Sequence, residues 1–228
     1  MSLNKSKGNM YPWLDYTWNP IRGKCPHGCV YCFMKDRDVG PLRLDSKALA
    51  DNLGTGRTIF VGSSTDMFAE AVPHDWIYQV LEKCNSHQNT YIFQSKNPVR
   101  FCAPTCSGNL ADALPPRTIL GTTLESNREY GQSIYAPRAW QRVSGLAMPQ
   151  LDRFKKMVSM EPIVAFDLGT VLDWIRLISP TFVSIGADSK GHNLIEPTAR
   201  ELKDLIAELS VLTEVKLKKN LDRLLEAK

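Results

Sequence analysis

At 228 residues the chain can bury a sizeable core and fits one domain of ordinary enzyme size. Hydrophobic residues make up 43% and charged residues 23%, and the net charge is +4, which permits a nucleic-acid partner without arguing for one. No apolar run approaches the ~20 residues of a membrane helix, and residues 1–7 lack the apolar segment of a secretory signal. The expected location is therefore cytoplasmic, where clustered cysteines mark a metal or catalytic site, not a disulfide.

Taken in order, residues 1–10 show no periodic pattern and are expected to be a flexible N-terminus. Tyr16, Thr17 and Trp18 form the first predicted strand. Three of the six cysteines follow as Cys25, Cys29 and Cys32, spaced C-x3-C-x2-C, with Tyr31 just ahead of the last. Residues 58–61 are a short apolar run ending in Gly62, Ser63 and Ser64. Residues 73–83 place apolar side chains at 76, 77, 80 and 81, which is helical spacing, with Pro73 and Asp75 suited to a helix start. Further apolar runs cover 90–93, 118–120, 156–160, 181–185 and 214–217. Helical patterns cover 171–178 and 198–212, the latter with Leu202, Leu205, Ile206 and Leu209 on one face.

Strands alternating with helices imply βαβ units and a parallel sheet. Six or seven units fall short of the eight of a closed barrel. The expected fold is an α/β, partial (β/α)6-type open TIM-like barrel of parallel strands, with a doubly wound open sheet as the alternative. Residues 1–228 are expected to form a single domain. Nearly every run ends in polar residues, among them Ser63, Ser64, Thr123, Glu125, Ser159 and Glu161. In parallel α/β folds the carboxyl ends of strands are where sites are built.

Three thiolates so close together can hold one inorganic centre. Soft thiolates suit iron–sulfur chemistry, and a [4Fe–4S] cluster normally takes four of them. The segment has no fourth cysteine, which leaves one iron open to a ligand that is not protein. Zinc with Cys25, Cys29, Cys32 and His27 is the rival reading, weaker because His27 lies inside the first gap and paired zinc knuckles come from separated segments. A lone histidine such as His27 is more often loop surface.

The Cys25, Cys29, Tyr31, Cys32 arrangement resembles the signature of the radical S-adenosylmethionine superfamily. The resemblance implies a [4Fe–4S] cluster on Cys25, Cys29 and Cys32 that cleaves S-adenosylmethionine reductively, and a 5′-deoxyadenosyl radical that takes hydrogen from a substrate. More closely, residues 17–20, Val61-Gly62, residues 66–68, residues 96–98, residues 159–162 and residues 217–219 are similar to a phage- and prokaryote-associated radical-SAM-like family of unsettled function, named after phage tail-region gene products. The chain departs from that family in Gly186-Ala187-Asp188-Ser189, where a Gly-Gly-Glu-Ser type of turn is expected, and in the short lead from Pro20 to Cys25. By analogy with the superfamily's layout, Gly62, Ser63 and Ser64 receive the methionyl amino group. Thr123 and Glu125 meet the ribose, Ser159 and Glu161 line the adenosine side or substrate pocket, and Tyr31 contacts adenine. The resemblance further implies a flavodoxin- or ferredoxin-type reductant protein. An open barrel mouth favours a large substrate, nucleic acid or protein; superfamily relatives include a DNA photoproduct repair lyase.

Blander readings stand beside these. Cys84, Cys102 and Cys106 are expected to be scattered small hydrophobes. Most tryptophans are core, with Trp18 expected to roof the cysteine loop. Lys96 and Lys218 read as solvated strand-end lysines, and Lys35, Arg37 and Arg43 as a solvated face. The function opposed to an enzyme is a non-catalytic module with a structural zinc or iron–sulfur site; a small-substrate enzyme closed by a partner subunit is a third.

Overall fold

The computed structural model describes residues 3–8, 10–106 and 108–226. Eight strands form one sheet: β1 (Leu3–Lys5), β2 (Tyr16–Trp18), β3 (Thr58–Val61), β4 (Thr90–Gln94), β5 (Thr118–Thr123), β6 (Lys155–Met160), β7 (Phe182–Ile185) and β8 (Glu214–Leu217). They lie side by side in chain order. β1 pairs antiparallel with β2, and every later neighbour is parallel. The order does not return to its start, so the barrel is open. The expected α/β partial barrel is thus the observed architecture, with seven parallel strands and one antiparallel edge.

β1 is a departure from the flexible terminus expected over residues 1–10, of which residues 1, 2 and 9 lie outside the described residues. Leu3, Asn4 and Lys5 pair with Trp18, Thr17 and Tyr16, and Leu3 N–H is held by Asp51 Oδ2 at 3.1 Å. A three-residue, half-polar edge strand carries no periodicity to read.

Among the described residues, the four α-helices of eight residues or more pack outside the sheet: α1 (His74–Asn85), α2 (Ala139–Leu146), α3 (Leu168–Ile178) and α4 (Ala199–Leu212). α4 begins with a capping box. Thr198 Oγ1 accepts from Glu201 N–H at 3.2 Å, and Glu201 Oε2 accepts from Thr198 N–H at 2.8 Å, so two otherwise unpaired amides are satisfied. α3 stops at Ser179, which adopts a left-handed conformation just before Pro180. Between β4 and β5 there is no α-helix among the described residues, but 3-10 turns at Pro98–Cys102 and Leu110–Ala113 and a short antiparallel ribbon of Pro104–Thr105 with Gly108–Asn109.

Strand side chains alternate between the two faces. Ile59, Val61, Tyr91, Phe93, Leu120, Val158, Met160, Val183 and Ile185 join the large core under the helices. Phe60, Ile92, Met157 and Phe182 point into the barrel, where Tyr11 and Leu14 pack against them. Both faces are therefore buried, which is why each strand reads as an unbroken apolar run. The segment before β2 fills the barrel lumen, and everything above it toward the carboxyl ends of the strands is open.

Candidate functional site

A cleft of about 530 Å³ opens at the carboxyl ends of the strands. Its wall on one side is the cysteine loop, through Cys29, Tyr31, Cys32 and Phe33. Its floor is Tyr11 and the inward-pointing strand-end residues Gln94, Thr123 and Ser159. Tyr11 O–H donates to Gln94 Oε1 at 2.8 Å and lies 2.9 Å from Ser159 Oγ, while Gln94 Nε2 donates to Thr123 Oγ1 at 2.9 Å. This chain of side chains ties three strand ends and the lumen segment into one polar surface. Burial first, then the Glu161 charge, pushes the Tyr11 hydroxyl well above its ordinary range, so it is a neutral hydrogen-bonding group.

Of the eight residues expected to meet a nucleoside cofactor, Tyr31, Ser63, Thr123, Ser159 and Glu161 line the cleft. Gly62 does not. Its φ is +79°, an added Cβ would meet Thr65 O at 3.0 Å, and its N–H is taken by Trp18 O at 2.9 Å, so it is a turn residue. Ser64 is held below by Asn19, whose Oδ1 accepts from Ser64 N–H at 2.9 Å and Ser64 Oγ at 3.0 Å, as well as from Ser63 Oγ at 3.2 Å. Glu125 is wholly buried behind the loop and faces protein partners. Glu161 Oε2 accepts from Lys218 Nζ at 2.7 Å across the far side of the cleft. Gly186 makes room for that carboxylate: a Cβ there would come within 2.9 Å of Glu161 Cδ.

The cysteine loop is clasped at both ends. His27 is buried, not a surface residue of the loop as expected, and its Nε2 lies 2.7 Å from Asp66 Oδ2. The same carboxylate accepts from Ser95 Oγ, Lys96 N–H and Phe68 N–H. Burial pushes the Asp66 carboxyl up, but His27 and the two amides more than reverse this and hold it below the ordinary range. At the other end Tyr31 O–H donates to Glu125 Oε1. Lys96 Nζ lies 2.5 Å from Glu125 Oε1 and Arg142 Nη1 lies 2.6 Å from Glu125 Oε2. Burial opposes ionisation of Glu125; the two cations and Tyr31 overcome it and hold the carboxyl at about 2. Lys96, expected to be solvated, is thus a buried anchor. Trp18, expected above the loop, lies in the main core with Nε1–H donating to Ala48 O at 3.3 Å.

The three loop thiols are partly buried and unpaired. Cys32 Sγ accepts from Met34 N–H at 3.4 Å, Cys29 Sγ from Ser133 Oγ at 3.1 Å, and Cys25 from the backbone N–H groups of Asp66 and His27. Burial, joined by the Asp66 charge, pushes the Cys25 thiol up to about 11, and burial also raises Cys32. Such thiols stay neutral until a metal supplies the opposing charge. Soft donors on one loop, each with a hydrogen-bond donor aimed at its sulfur, fit a thiolate-held iron–sulfur centre. Among the described residues, no three His, Cys, Asp or Glu side chains are arranged to hold a single metal ion. Cys84 is buried on α1, Cys102 is partly buried and Cys106 exposed; none lines the cleft.

In fold, the chain is similar to spore photoproduct lyase. A variant of that enzyme with bound AdoMet and dinucleoside spore photoproduct superposes with a TM-score of 0.67 at 10% identity, covering 92% of this chain and 78% of that one. The lyase complexed with dinucleoside spore photoproduct gives 0.65 at 10% identity, and a further variant gives 0.66 at 11%, with the same coverage. No protein-family model matches the sequence, and no curated protein matches it. The structural likeness shows the shared fold. No helix among the described residues is long and apolar enough to cross a membrane.

Sequence reasoning missed Tyr11, Asn19, Arg142 and Asp66 as parts of the site. Asn19, Asp66 and Lys96 did stand in the motifs that carried the family resemblance. Tyr11 and Arg142 gave no signal, because their partners lie 148 and 17 positions away along the chain.

Proposed function

We propose that the chain is a radical S-adenosylmethionine enzyme of one catalytic domain, with Cys25, Cys29 and Cys32 as the protein ligands of a [4Fe–4S] cluster. The observation that carries this reading is the C-x3-C-x2-C loop at the carboxyl end of an open parallel barrel, with Cys29 and Cys32 facing a cleft lined by Ser63, Thr123, Ser159 and Glu161. When bound, the cluster and S-adenosylmethionine supply a 5′-deoxyadenosyl radical able to abstract hydrogen. The protein's part is to hold the nucleoside and keep water out. Thr123 and Ser159, fixed by Gln94 and Tyr11, offer hydroxyls of set orientation to a ribose. Ser63, set by Asn19, offers one near the cysteine loop. The Glu161–Lys218 pair presents an acceptor and a donor side by side to an adenosyl group or a substrate. Phe60 and Phe33 give the cleft apolar walls.

The substrate we favour is nucleic acid. Related folds have been solved with a dinucleoside photoproduct, and Lys7 and Lys190 stand at the cleft, where they suit a phosphate backbone. A flavodoxin- or ferredoxin-type protein is the proposed reductant, and the reducing cytosol the proposed setting. The finer assignment to the phage-associated family rests on the motifs of the sequence.

Anaerobic purification tests the reading. The expected protein is brown, absorbs broadly near ~400 nm and contains iron and sulfide. With dithionite and S-adenosylmethionine it releases 5′-deoxyadenosine. Cys25→Ala, Cys29→Ala and Cys32→Ala each abolish this, while Cys84→Ala, Cys102→Ala and Cys106→Ala leave iron content unchanged. A colourless protein with a bound zinc ion would overturn the proposal in favour of a structural metal module.

A further inference from the structure

Behind the cysteine loop one buried carboxylate is met by two buried cations. Glu125 is 0% exposed and meets both Lys96 and Arg142, which are 9% and 4% exposed. Arg142 alone would neutralise it; its Nη1 donates to Thr123 O at 3.0 Å as well as to Glu125, and its Nε donates to Pro137 O at 2.7 Å. The other carboxylate at the loop, Asp66, is met by His27, and the buried Arg100 guanidinium also acts on it. Across the cleft Lys218 is opposed by Glu161, and Asp188 by His192. Lys96 is therefore a second buried cation on a carboxylate that Arg142 already matches. A buried cation in excess of its carboxylate is costly unless a further anion opposes it.

Its position says what opposes it. Lys96 Nζ lies 2.5 Å from the Tyr31 hydroxyl oxygen and 5.2 Å from the centre of the Tyr31 ring, and it lines the cleft beside Cys29 and Cys32. Its own amide binds Asp66, the clasp on the Cys25 side. One residue thus touches both anchors of the loop and brings its charge to the side where the thiols are. Three thiolates outnumber the positive charges of an oxidised [4Fe–4S] core, and reduction adds another electron.

Resting on the cluster reading above, we infer that Lys96 is the counter-cation of the thiolate-held cluster. It positions the cysteine loop through Tyr31 and Asp66, and its charge favours the reduced state, making the potential less negative than the loop alone would give. Nearby fixed charge is one of the determinants of such potentials.

The test compares Lys96→Met, Lys96→Arg and Glu125→Gln with the wild type, each as the full chain, metal-free and after anaerobic reconstitution. In the metal-free protein Lys96→Met leaves a balanced Glu125–Arg142 pair, so its urea midpoint moves little. Glu125→Gln leaves two cations facing each other, and its midpoint falls steeply. After reconstitution the order reverses in what the cluster feels. Lys96→Met loses iron to a chelator roughly tenfold faster, and its midpoint in an electron paramagnetic resonance redox titration becomes more negative; Lys96→Arg keeps the wild-type potential. A merely structural anchor would make Lys96→Met as damaging as Glu125→Gln without metal and leave the potential unmoved, and that result would refute the role of Lys96. A wild type that takes up no iron or sulfide would instead sink the cluster reading beneath it.

Discussion

Asp66→Ala measures how firmly the cysteine loop is fixed to the barrel. In the native protein the Asp66 carboxylate accepts from His27 Nε2 at 2.7 Å, Lys96 N–H at 2.8 Å, and Phe68 N–H and Ser95 Oγ at 2.9 Å. The substitution removes all these acceptors at once. Ser95 cannot easily turn away, because its oxygen already accepts from Asn97 N–H at 2.8 Å. The Lys96 amide is fixed by the chain just past β4, and the Phe68 amide by the turn at Asp66 in the loop after β3. Two orphaned amides at ~1–3 kcal/mol each, with the His27 partner lost as well, give a destabilisation of about 4–6 kcal/mol. That is a large share of the ~5–15 kcal/mol typical of a folded domain. Urea unfolding of the metal-free protein at pH 7 should show it as a lower midpoint with an unchanged slope. Asp66→Asn, which keeps one acceptor, should cost about half as much. A loss below ~1 kcal/mol in Asp66→Ala would refute the reasoning, since it would mean that water satisfies these donors as well as the carboxylate does.

The acid limb of stability should report Glu125. Its ordinary value is 4.5 and in the fold it is held at about 2, so as pH falls the unfolded chain takes up the proton first. The contribution is full above ~pH 4.5 and is lost progressively toward pH 2, amounting to about 3 kcal/mol; urea midpoints of the metal-free protein between pH 7 and pH 3 should fall accordingly, with Asp66 adding in the same direction. Tyr11→Phe removes the hydroxyl that joins Gln94 to Ser159 while keeping the ring in the lumen, and should lower the melting temperature by roughly 3 °C for about 1 kcal/mol, with circular dichroism unchanged at 25 °C.

The seven parallel strands were legible because burial on both faces leaves a continuous apolar run, a pattern that needs no knowledge of partners. α1, α3 and α4 were legible through their spacing. α2 was not. Its inner face mixes the core residues Ala139, Val143 and Leu146 with Arg142, which meets a carboxylate, and Gly145, where a Cβ would strike Val99 N at 2.7 Å, so the apolar spacing is interrupted. The loss of α2 hid the partner of Glu125. Lys96, expected to be solvated, has the look of any charged residue whose opposite charge comes from another element.

The strand-end residues divide by the same logic. Gln94, Thr123 and Ser159 sit within β4, β5 and β6, where alternation dictates that they face the barrel interior, and all three line the cleft. Glu125 is two residues beyond Thr123, which on a continued strand would place it on the same face. But β5 ends at Thr123, and past that point the backbone follows no alternation. The side chain goes instead where charge leads it, to Arg142 on α2 and Lys96 after β4. The expected ribose contact and the actual buried anchor thus differ by where a strand stops. The strand's end is fixed by Leu124 N–H bonding to Ser159 O at 2.9 Å and by the turn that follows toward Val164, whose N–H bonds to Glu125 O at 2.8 Å. Within a strand, inward parity therefore marks residues that can meet a ligand in this cleft; past the strand ends parity decides nothing, and there Ser63, Glu161 and Lys218 line the cleft while Asp66 and Glu125 hold the cysteine loop in place.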